Sequence, residues 1–482
     1  MLNSENFILR TDSYKLTHWK QYPEGMQTVY SYLESRGGEY EKTLFFGLQY
    51  YLKKYLGKVK ITMADIDEAE MFSEAHFGTK ENFNREGWEY IVKRLGGKLP
   101  IKIMAVKEGT LVPTSNVLAT IENTDPNCYW LTNVIETLLM KLWYPITIAT
   151  NSFYCKKMIR EALETSGGVT EGLLFKLHDF GYRGVSSEET AGIGGMSHLV
   201  NFLGTDTVRG IVFADNYYNA GVCGFSVPAS EHSVACSFGD QAEMEYFYNM
   251  LQTYKTGIVS IVSDTYNVYN FVETMSTEYR DLILKRDGVV VFRPDSGDPI
   301  EVNSKLIDKL WDIFGGTFTE DGYKLLVPQV RLIQGDGIDM DMLNKIMKML
   351  IAKRFSVDNI VFGSGGGLLQ KFDRDTCKFA IKASYGTRII DGKLHKFEIK
   401  KDPVTSKGKA SKGGRLKLHK AGYAFMTMSS SDGGMFESYC DELEVVFENG
   451  EIKREQTFDD VRKLSEQYLD LEISKQTNLV RA

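Results

Sequence analysis

The sequence predicts an α/β protein: a parallel sheet closed or nearly closed into a barrel, beside an α+β domain assembled from both chain ends. Three observations predict it. From about residue 173, short apolar runs alternate with amphipathic helical patterns, and each run ends in a polar or glycine tip. The last four tips lie roughly 30–40 residues apart, the length of a βα unit. Before this stretch and after about residue 378 the rhythm is missing, and hairpin turns appear instead. The expected division is therefore 1–145, 146–377 and 378–482, with the first and last segments packing together as one discontinuous domain.

The elements follow in order. Residues 11–22 are dense in hydrogen-bonding and aromatic groups, and Val29–Glu34 reads as a strand leading to Arg36-Gly37-Gly38. Leu44, Phe45, Leu48, Leu52 and Leu56 share one face at helical spacing, so 43–56 reads as a helix, with further helices at 64–76 and 83–95. Ile101, Ile103 and Ala105 alternate as a strand, and Val117–Ile121 forms another. Residues 128–143 form an apolar helix stopped by Pro145, and the next helix runs to Gly167-Gly168. The barrel strands are Leu173–Leu177, Ile258–Val262, Val289–Phe292, Val330–Ile333 and Ile360–Phe362. Their continuous β-branched runs suit strands buried on both faces, and Pro299 suits the first turn of the helix after the third. In the tail, Phe379 to Tyr385 alternates as a strand. Asp391-Gly392 and Asn449-Gly450 are hairpin turns, and Thr457 with Asp460 opens a helix at 458–470.

The totals narrow the function. At 482 residues, two or three domains are expected at ~150 residues each. A formal net charge of −7 argues against a nucleic-acid or anionic-membrane partner. No run of ~18 apolar residues can span a membrane, and Met1 to Glu5 lacks the basic and apolar regions of a signal peptide. The six cysteines are scattered, with no CxxC, which fits free thiols in a reducing cytoplasm.

A barrel gathers its strand ends on one face, and that face carries its sites. The tips bring together Arg183, Asp264, Arg293, Asp295, Asp336 and the glycine run 363–367. Glycine-rich backbone at the start of a helix suits a phosphate, although a purely structural turn is the alternative. The run completes neither GxGxxG nor a P-loop, so neither a dinucleotide site nor a P-loop NTPase is indicated. Lone aspartates at such tips often cap the next helix. Three of them, with two arginines and a phosphate loop, make a phosphorylated sugar the economical ligand. Residues 400–417 carry seven basic residues and one acid. They read either as a solvated loop or as a segment that closes over a polyanion such as pyrophosphate. His232 has Glu231 beside it and Asp264 within plausible reach, which opens the reading of a charged or phosphorylated imidazole. No HExxH or GxSxG occurs.

Seven motifs then occur in order: TDSYK at 11–15, KLHDFGYRGVSS at 176–187, GTDT at 204–207, SVPASEH at 226–232, RPDSG at 293–297, QGDG at 334–337 and GSGGGLLQK at 363–371. Together they make the chain resemble the nicotinamide phosphoribosyltransferases along nearly its whole length. The resemblance implies the irregular (βα) barrel of the type II phosphoribosyltransferases and a head-to-tail homodimer with shared active sites. It also implies conversion of nicotinamide and 5-phosphoribosyl 1-pyrophosphate into nicotinamide mononucleotide and pyrophosphate, with Mg²⁺. Phe180 and the partner subunit's Tyr14 would sandwich the pyridine ring, with Asp12 nearby, Arg183 on the carboxamide oxygen and Asp206 on its NH₂. Gly365 and Gly366 would hold the 5′-phosphate, and Asp295 and Asp336 would face the ribose. Ser260 and Gly335 join the phosphoribosyl site, and Arg293, Arg36, Arg374, Lys382, Lys401 and Lys409 would hold the pyrophosphate. His232, oriented by Asp264, would be phosphorylated by ATP. The residues that hold the metal are left unassigned. Ala380 stands where this resemblance leads one to expect a serine in the phosphate-binding strand, and Ser230 replaces a small apolar residue. Three competing readings remain: a nicotinate phosphoribosyltransferase, a Schiff-base sugar-phosphate lyase or isomerase, and a non-catalytic signalling or binding protein. The second lacks a lysine at any tip.

Overall fold

The computed structural model describes residues 2–402, 410–422 and 424–481, and the chain separates into two compact units. The first comprises Met1–Thr150 and Asp373–Ser465, and the second Asn151–Phe372 and Glu466–Ala482. The final helix, Phe458–Arg481, is longer than expected, and its residues from Glu466 onward fall with the second unit. Ion pairs from Lys156 to Glu466 and from Arg160 to Asp470 hold them there.

The first unit is built on a seven-stranded sheet in the order Lys393–Glu398, Phe379–Ile390, Met26–Ser35, Val117–Asn123, Ile101–Ala105, Glu444–Glu448 and Glu451–Ile452, antiparallel throughout. N-terminal and C-terminal strands interleave, so neither chain end could form this sheet alone. The helix expected at 43–56 is interrupted. Lys42–Leu44 is a strand paired with Leu111–Pro113, and helix Leu48–Tyr51 runs on into a π turn, Leu52–Leu56. Gly47 breaks the earlier pattern with φ +100°, a left-handed geometry that favours glycine. Pro145 does not stop the preceding helix either. That helix is Leu131–Met140, and Pro145 lies in the first turn of Trp143–Thr165, where it is tolerated.

The second unit is the barrel. Five parallel strands lie in the order Leu177–Asp179, Ile360–Ser364, Val330–Gln334, Gly288–Arg293 and Gly257–Val262. Short segments join the two edge strands and complete an irregular ring. Asp179 bridges Thr205, Gly204 bridges Phe225, and Ala229 bridges Ser260, all in parallel sense. The interior is dry: Val290, Phe292, Val330, Leu332, Ile360 and Phe362 are fully buried. Leu306 and Leu310, on the helix after the Gly288–Arg293 strand, and Leu343 and Ile346, on the helix after Val330–Gln334, are buried too. The first barrel strand begins later than expected. Thr170–Phe175 is a 3₁₀ turn, and the strand starts after Lys176, whose buried ammonium pairs with Asp358 at 2.7 Å. No helix among the described residues is long and apolar enough to cross a membrane.

Candidate active site

The strand ends of the barrel open into a cleft of about 1200 Å³ lined by Phe180, Arg183, Asp206, Glu231, Arg293, Asp295, Gly335, Asp336, Gly365 and Gly366. Each comes from the end of a strand or from the turn that follows a strand or a bridging segment. The Arg293–Asp295 tip ends in Gly297 at φ +87°, and Asp298 then caps helix Pro299–Phe314 by accepting from the Ile300 and Glu301 N–H groups at 3.0 and 2.8 Å. Asp298 therefore does the capping, which leaves Asp295 to the cleft. Arg293 and Asp295 stand 4.0 Å apart, and the buried Arg293 Nε has no hydrogen-bond partner among the described residues.

The glycine run serves two purposes. A Cβ on Gly363 would lie 1.9 Å from Cε2 of Phe180, so Gly363 is the seat of the Phe180 ring. A Cβ on Gly367 would meet the Ile338 carbonyl at 2.4 Å. Gly366 has open space around it, a Cβ on Gly365 would meet only the Phe180 carbonyl, at an ordinary contact distance of 3.5 Å, and both line the cleft. Only that middle pair suits a phosphate.

His232 stands at the start of the short helix His232–Ser237, and its Nε2 lies 3.0 Å from Asp264 Oδ1. The Asp264 side chain is 3% exposed against 44% for His232, so a buried carboxylate orients a half-open imidazole. Beneath them Ser230 is wholly committed to structure: its hydroxyl contacts the Tyr246 hydroxyl at 2.6 Å and accepts from the Val262 N–H at 3.0 Å. Ser260 is buried next to this network, and its carbonyl accepts from the Ser230 N–H at 3.0 Å.

The first unit gathers a second set. Burial lowers the pKa of the Lys382 ammonium, and Arg36, Lys401 and Arg374 lower it further, against Glu136. These four cations therefore share one electrostatic neighbourhood. Arg36 donates through Nε to Glu34 at 2.8 Å. Tyr14 is 58% exposed, with its ring edge-on to His18, and the Asp12 carboxylate accepts from the Thr137 hydroxyl at 2.6 Å. The basic segment 400–417 divides. Lys412 pairs with Glu34, and Arg415 makes a two-pronged bond to Glu122 at 2.5 and 3.1 Å, so both are structural. Lys401 and Ser411 exchange hydrogen bonds of 2.8 and 2.9 Å, and Lys409 lies outside the described residues.

The chain is similar to known proteins over nearly its whole length. Residues 175–451 match the nicotinate phosphoribosyltransferase (NAPRTase) family, and residues 6–103 match the nicotinamide phosphoribosyltransferase N-terminal domain. The chain belongs to this phosphoribosyltransferase family. It is thus an enzyme of the pentosyl-transferring class. A protein of Xanthomonas campestris pv. campestris named nicotinamide phosphoribosyltransferase is 45% identical over 465 residues, covering 95% of this chain and 97% of that one. One of the same name from Acinetobacter baylyi is 35% identical, with the same coverage of both chains. Among solved structures, the fold is shared with nicotinate-nucleotide pyrophosphorylase from Pyrococcus furiosus (TM-score 0.57, 15% identity, 99% of this chain and 98% of that chain). It is also shared with human nicotinic acid phosphoribosyltransferase (TM-score 0.52, 14% identity, 95% and 93%).

Residues that sequence reasoning missed also line the cleft or touch its lining. Ser226 donates its hydroxyl to Asp206 Oδ1. Lys371 lines the cleft and pairs with Asp339, which itself caps helix Met340–Ala352 by accepting from the Met342 N–H at 2.9 Å. A lysine therefore does reach the site, though not from a strand tip, and its ammonium is held by a carboxylate. Asp179, which the sequence shows only as a neighbour of His178, is wholly buried behind Phe180. Its signal was a charged residue inside a strand otherwise destined for the core.

Proposed function

We propose that this enzyme transfers the phosphoribosyl group of 5-phosphoribosyl 1-pyrophosphate to nicotinamide, forming nicotinamide mononucleotide and pyrophosphate in NAD salvage. One observation carries the reading: Phe180, Arg183, Asp206, Arg293, Asp295, Asp336 and the open Gly365-Gly366 backbone line a single cleft. The Phe180 ring offers a flat apolar face for a pyridine, with Arg183 for the carboxamide oxygen and Asp206 for its NH₂. A carboxylate there repels the acid and accepts from the amide, which favours nicotinamide over nicotinate. Gly365 and Gly366 take the 5′-phosphate and Gly335 packs beside it, while Asp295 and Asp336 face the ribose.

In the reaction the pyridine nitrogen lone pair forms the bond to ribose C1 as the bond from C1 to the pyrophosphate oxygen breaks. Positive charge develops on the ribose and negative charge on the leaving group. Fixed carboxylates stabilise the first and Arg293 the second, and the Arg36, Arg374, Lys382 and Lys401 cluster of the first unit has the charge that a pyrophosphate requires. Asp295 and Asp336 fit a Mg²⁺ ion, because that ion dehydrates reluctantly and is held by one or two carboxylates plus substrate phosphates. No cage of three or more ligating side chains occurs among the described residues, so substrate oxygens would complete its shell. When bound, the ion supplies charge neutralisation to the pyrophosphate.

His232 is assigned as a phosphate acceptor from ATP. Asp264 at Nε2 favours the tautomer protonated there, leaving the Nδ1 lone pair to take the γ-phosphoryl group while ADP departs. The exposed Tyr14 ring suits the second half of a base sandwich supplied across a homodimer. The free cysteines suit a reducing cytoplasm.

The test is direct. Purified protein, Mg²⁺ and phosphoribosyl pyrophosphate are supplied with nicotinamide or nicotinate, with and without ATP. Mononucleotide should form from the amide in clear preference to the acid, and Asp206→Asn should narrow that preference by roughly tenfold or more. Radiolabel from γ-phosphate should appear on the protein and vanish in His232→Ala. Better use of nicotinate by the unmodified protein would refute the Asp206 assignment.

A further inference from the structure

Asp179 is the buried charge in the cleft wall that the proposed reaction does not use. Its exposure is 0%, so it touches no ligand. Its Oδ1 accepts from the Gly181 N–H at 2.7 Å and fixes the turn that carries Phe180. Its N–H donates to the Gly204 carbonyl at 3.1 Å, and its own carbonyl accepts from the Asp206 N–H at 2.9 Å. The Phe180 N–H donates to the Ser364 carbonyl at 2.9 Å, which sets the ring over Gly363. Oδ2 and Thr207 Oγ1 are both buried without a hydrogen bond of full geometry among the described residues. One residue therefore grips both walls that the base would meet.

We propose that Asp179 is the positioning residue of the base pocket, joining the Phe180 turn to the Asp206 segment so that the aromatic face and the amide-reading carboxylate are held as one unit. The proposal rests on the base-pocket reading given above.

The same carboxyl has an electrostatic consequence. Complete burial, with the Asp206 carboxylate adding to it, pushes Asp179 up to about 7, against the pull of the Gly181 N–H and the Thr207 hydroxyl. Among the groups packed around it, the neighbouring strand contributes Phe362, Gly363 and Ser364, none of them titratable. His178 comes next in its own strand, and burial holds that imidazole below its ordinary pKa. Asp206 is the charged group acting on Asp179 from the bridging segment. Below about 7 Asp179 is neutral; above it a second negative charge stands behind Asp206 and strengthens the rejection of an anionic base. The sign for stability follows from the same shift. The folded carboxyl lies above its unfolded value, so its burial costs nothing while both states are protonated. The cost then grows as pH rises from the unfolded value through the folded one.

The experiment compares wild type, Asp179→Asn and Asp179→Ala. Asn keeps an acceptor for the Gly181 N–H without the charge, whereas Ala loses that acceptor and keeps only the backbone bonds to Gly204 and Asp206. Between about pH 6 and pH 8 the Ki of nicotinate as an inhibitor of wild type should rise roughly threefold or more, and stay flat in Asp179→Asn. Asp179→Asn should melt above wild type at about pH 8, with the gap closing toward about pH 4. Asp179→Ala should raise the nicotinamide KM by roughly tenfold or more with a smaller change in kcat, and Asp179→Asn should restore it. If the alanine variant does not fold, the asparagine comparison decides. Asp179→Asn matching wild type in both pH profiles, in a wild type that uses nicotinamide, overturns this proposal alone. A wild type that neither binds nor converts nicotinamide overturns the base-pocket reading and this inference with it.

Discussion

The two ends of the cleft are built on opposite principles. At the end proposed for the base, position is set by the fold itself. The Phe180 ring lies against Gly363 with no room for a Cβ, and Asp179 ties its turn to the Asp206 segment through bonds of 2.7 and 2.9 Å. At the end proposed for the phosphosugar the groups are less committed. Arg293 and Asp295 are 4.0 Å apart, Asp336 is exposed, and Gly366 faces open space. A flat, weakly polar ring offers little charge to grip, so its site must recognise shape, and shape requires rigidity. A sugar carrying both a phosphate and a pyrophosphate brings a strong field of its own, so its site need only leave complementary charge unsatisfied.

The first way to break this comparison is Asp295→Asn. The side chain is 29% exposed and its ion pair is long, so the fold should tolerate the change. If its charge acts on the developing positive ribose, kcat should fall by roughly a hundredfold to a thousandfold with the nicotinamide KM little altered. Steady-state kinetics would show this, and a loss under about threefold would remove Asp295 from the transition state.

Gly363→Ala tests the other end. The added Cβ, 1.9 Å from the ring, must displace Phe180 into the cleft or shift the strand. Overpacking of this kind costs roughly 1–3 kcal/mol, so a lower melting temperature is expected. Catalytically, kcat/KM for nicotinamide should fall by about a hundredfold while the KM for phosphoribosyl pyrophosphate moves far less. Equal losses for both substrates would show that the two ends are not separable.

That separability also explains what could be read from the chain. The strand tips were legible because charge and glycine break the apolar pattern of a β-branched run: Arg293, Asp295 and Asp336 follow such runs and line the cleft. The roles within 363–367 were not, because a glycine looks the same whether it seats a ring or frees a backbone N–H, and only the position of the Phe180 ring distinguishes Gly363 from Gly365. The ring closure was hidden too. Asp179, Gly204, Phe225, Ala229 and Ser260 meet through single bridges between segments too short to show strand periodicity. Within 400–417, Lys412 and Arg415 look like their neighbours, yet their partners Glu34 and Glu122 lie in distant strands. Local composition cannot report a partner nearly three hundred residues away or farther.

The smallest expected effect sharpens the comparison most, because it asks whether the first unit's cations belong to the charge-reading end. Ala380 pairs with Glu34 and Lys382 with Tyr32 on one uninterrupted stretch of ladder, so the two side chains emerge on the same face of their strand. A hydroxyl at 380 would stand beside the Lys382 ammonium, among the cations assigned to pyrophosphate. One added hydrogen bond to an anionic oxygen should lower the KM for phosphoribosyl pyrophosphate roughly twofold to fivefold in Ala380→Ser. The nicotinamide KM should stay put, since nothing at the Phe180 turn changes. An unchanged pyrophosphate-substrate KM would mean that this strand face does not meet the substrate. The Lys382 cluster would then lose its assignment, and Arg293 would be left as the leaving group's main counter-charge.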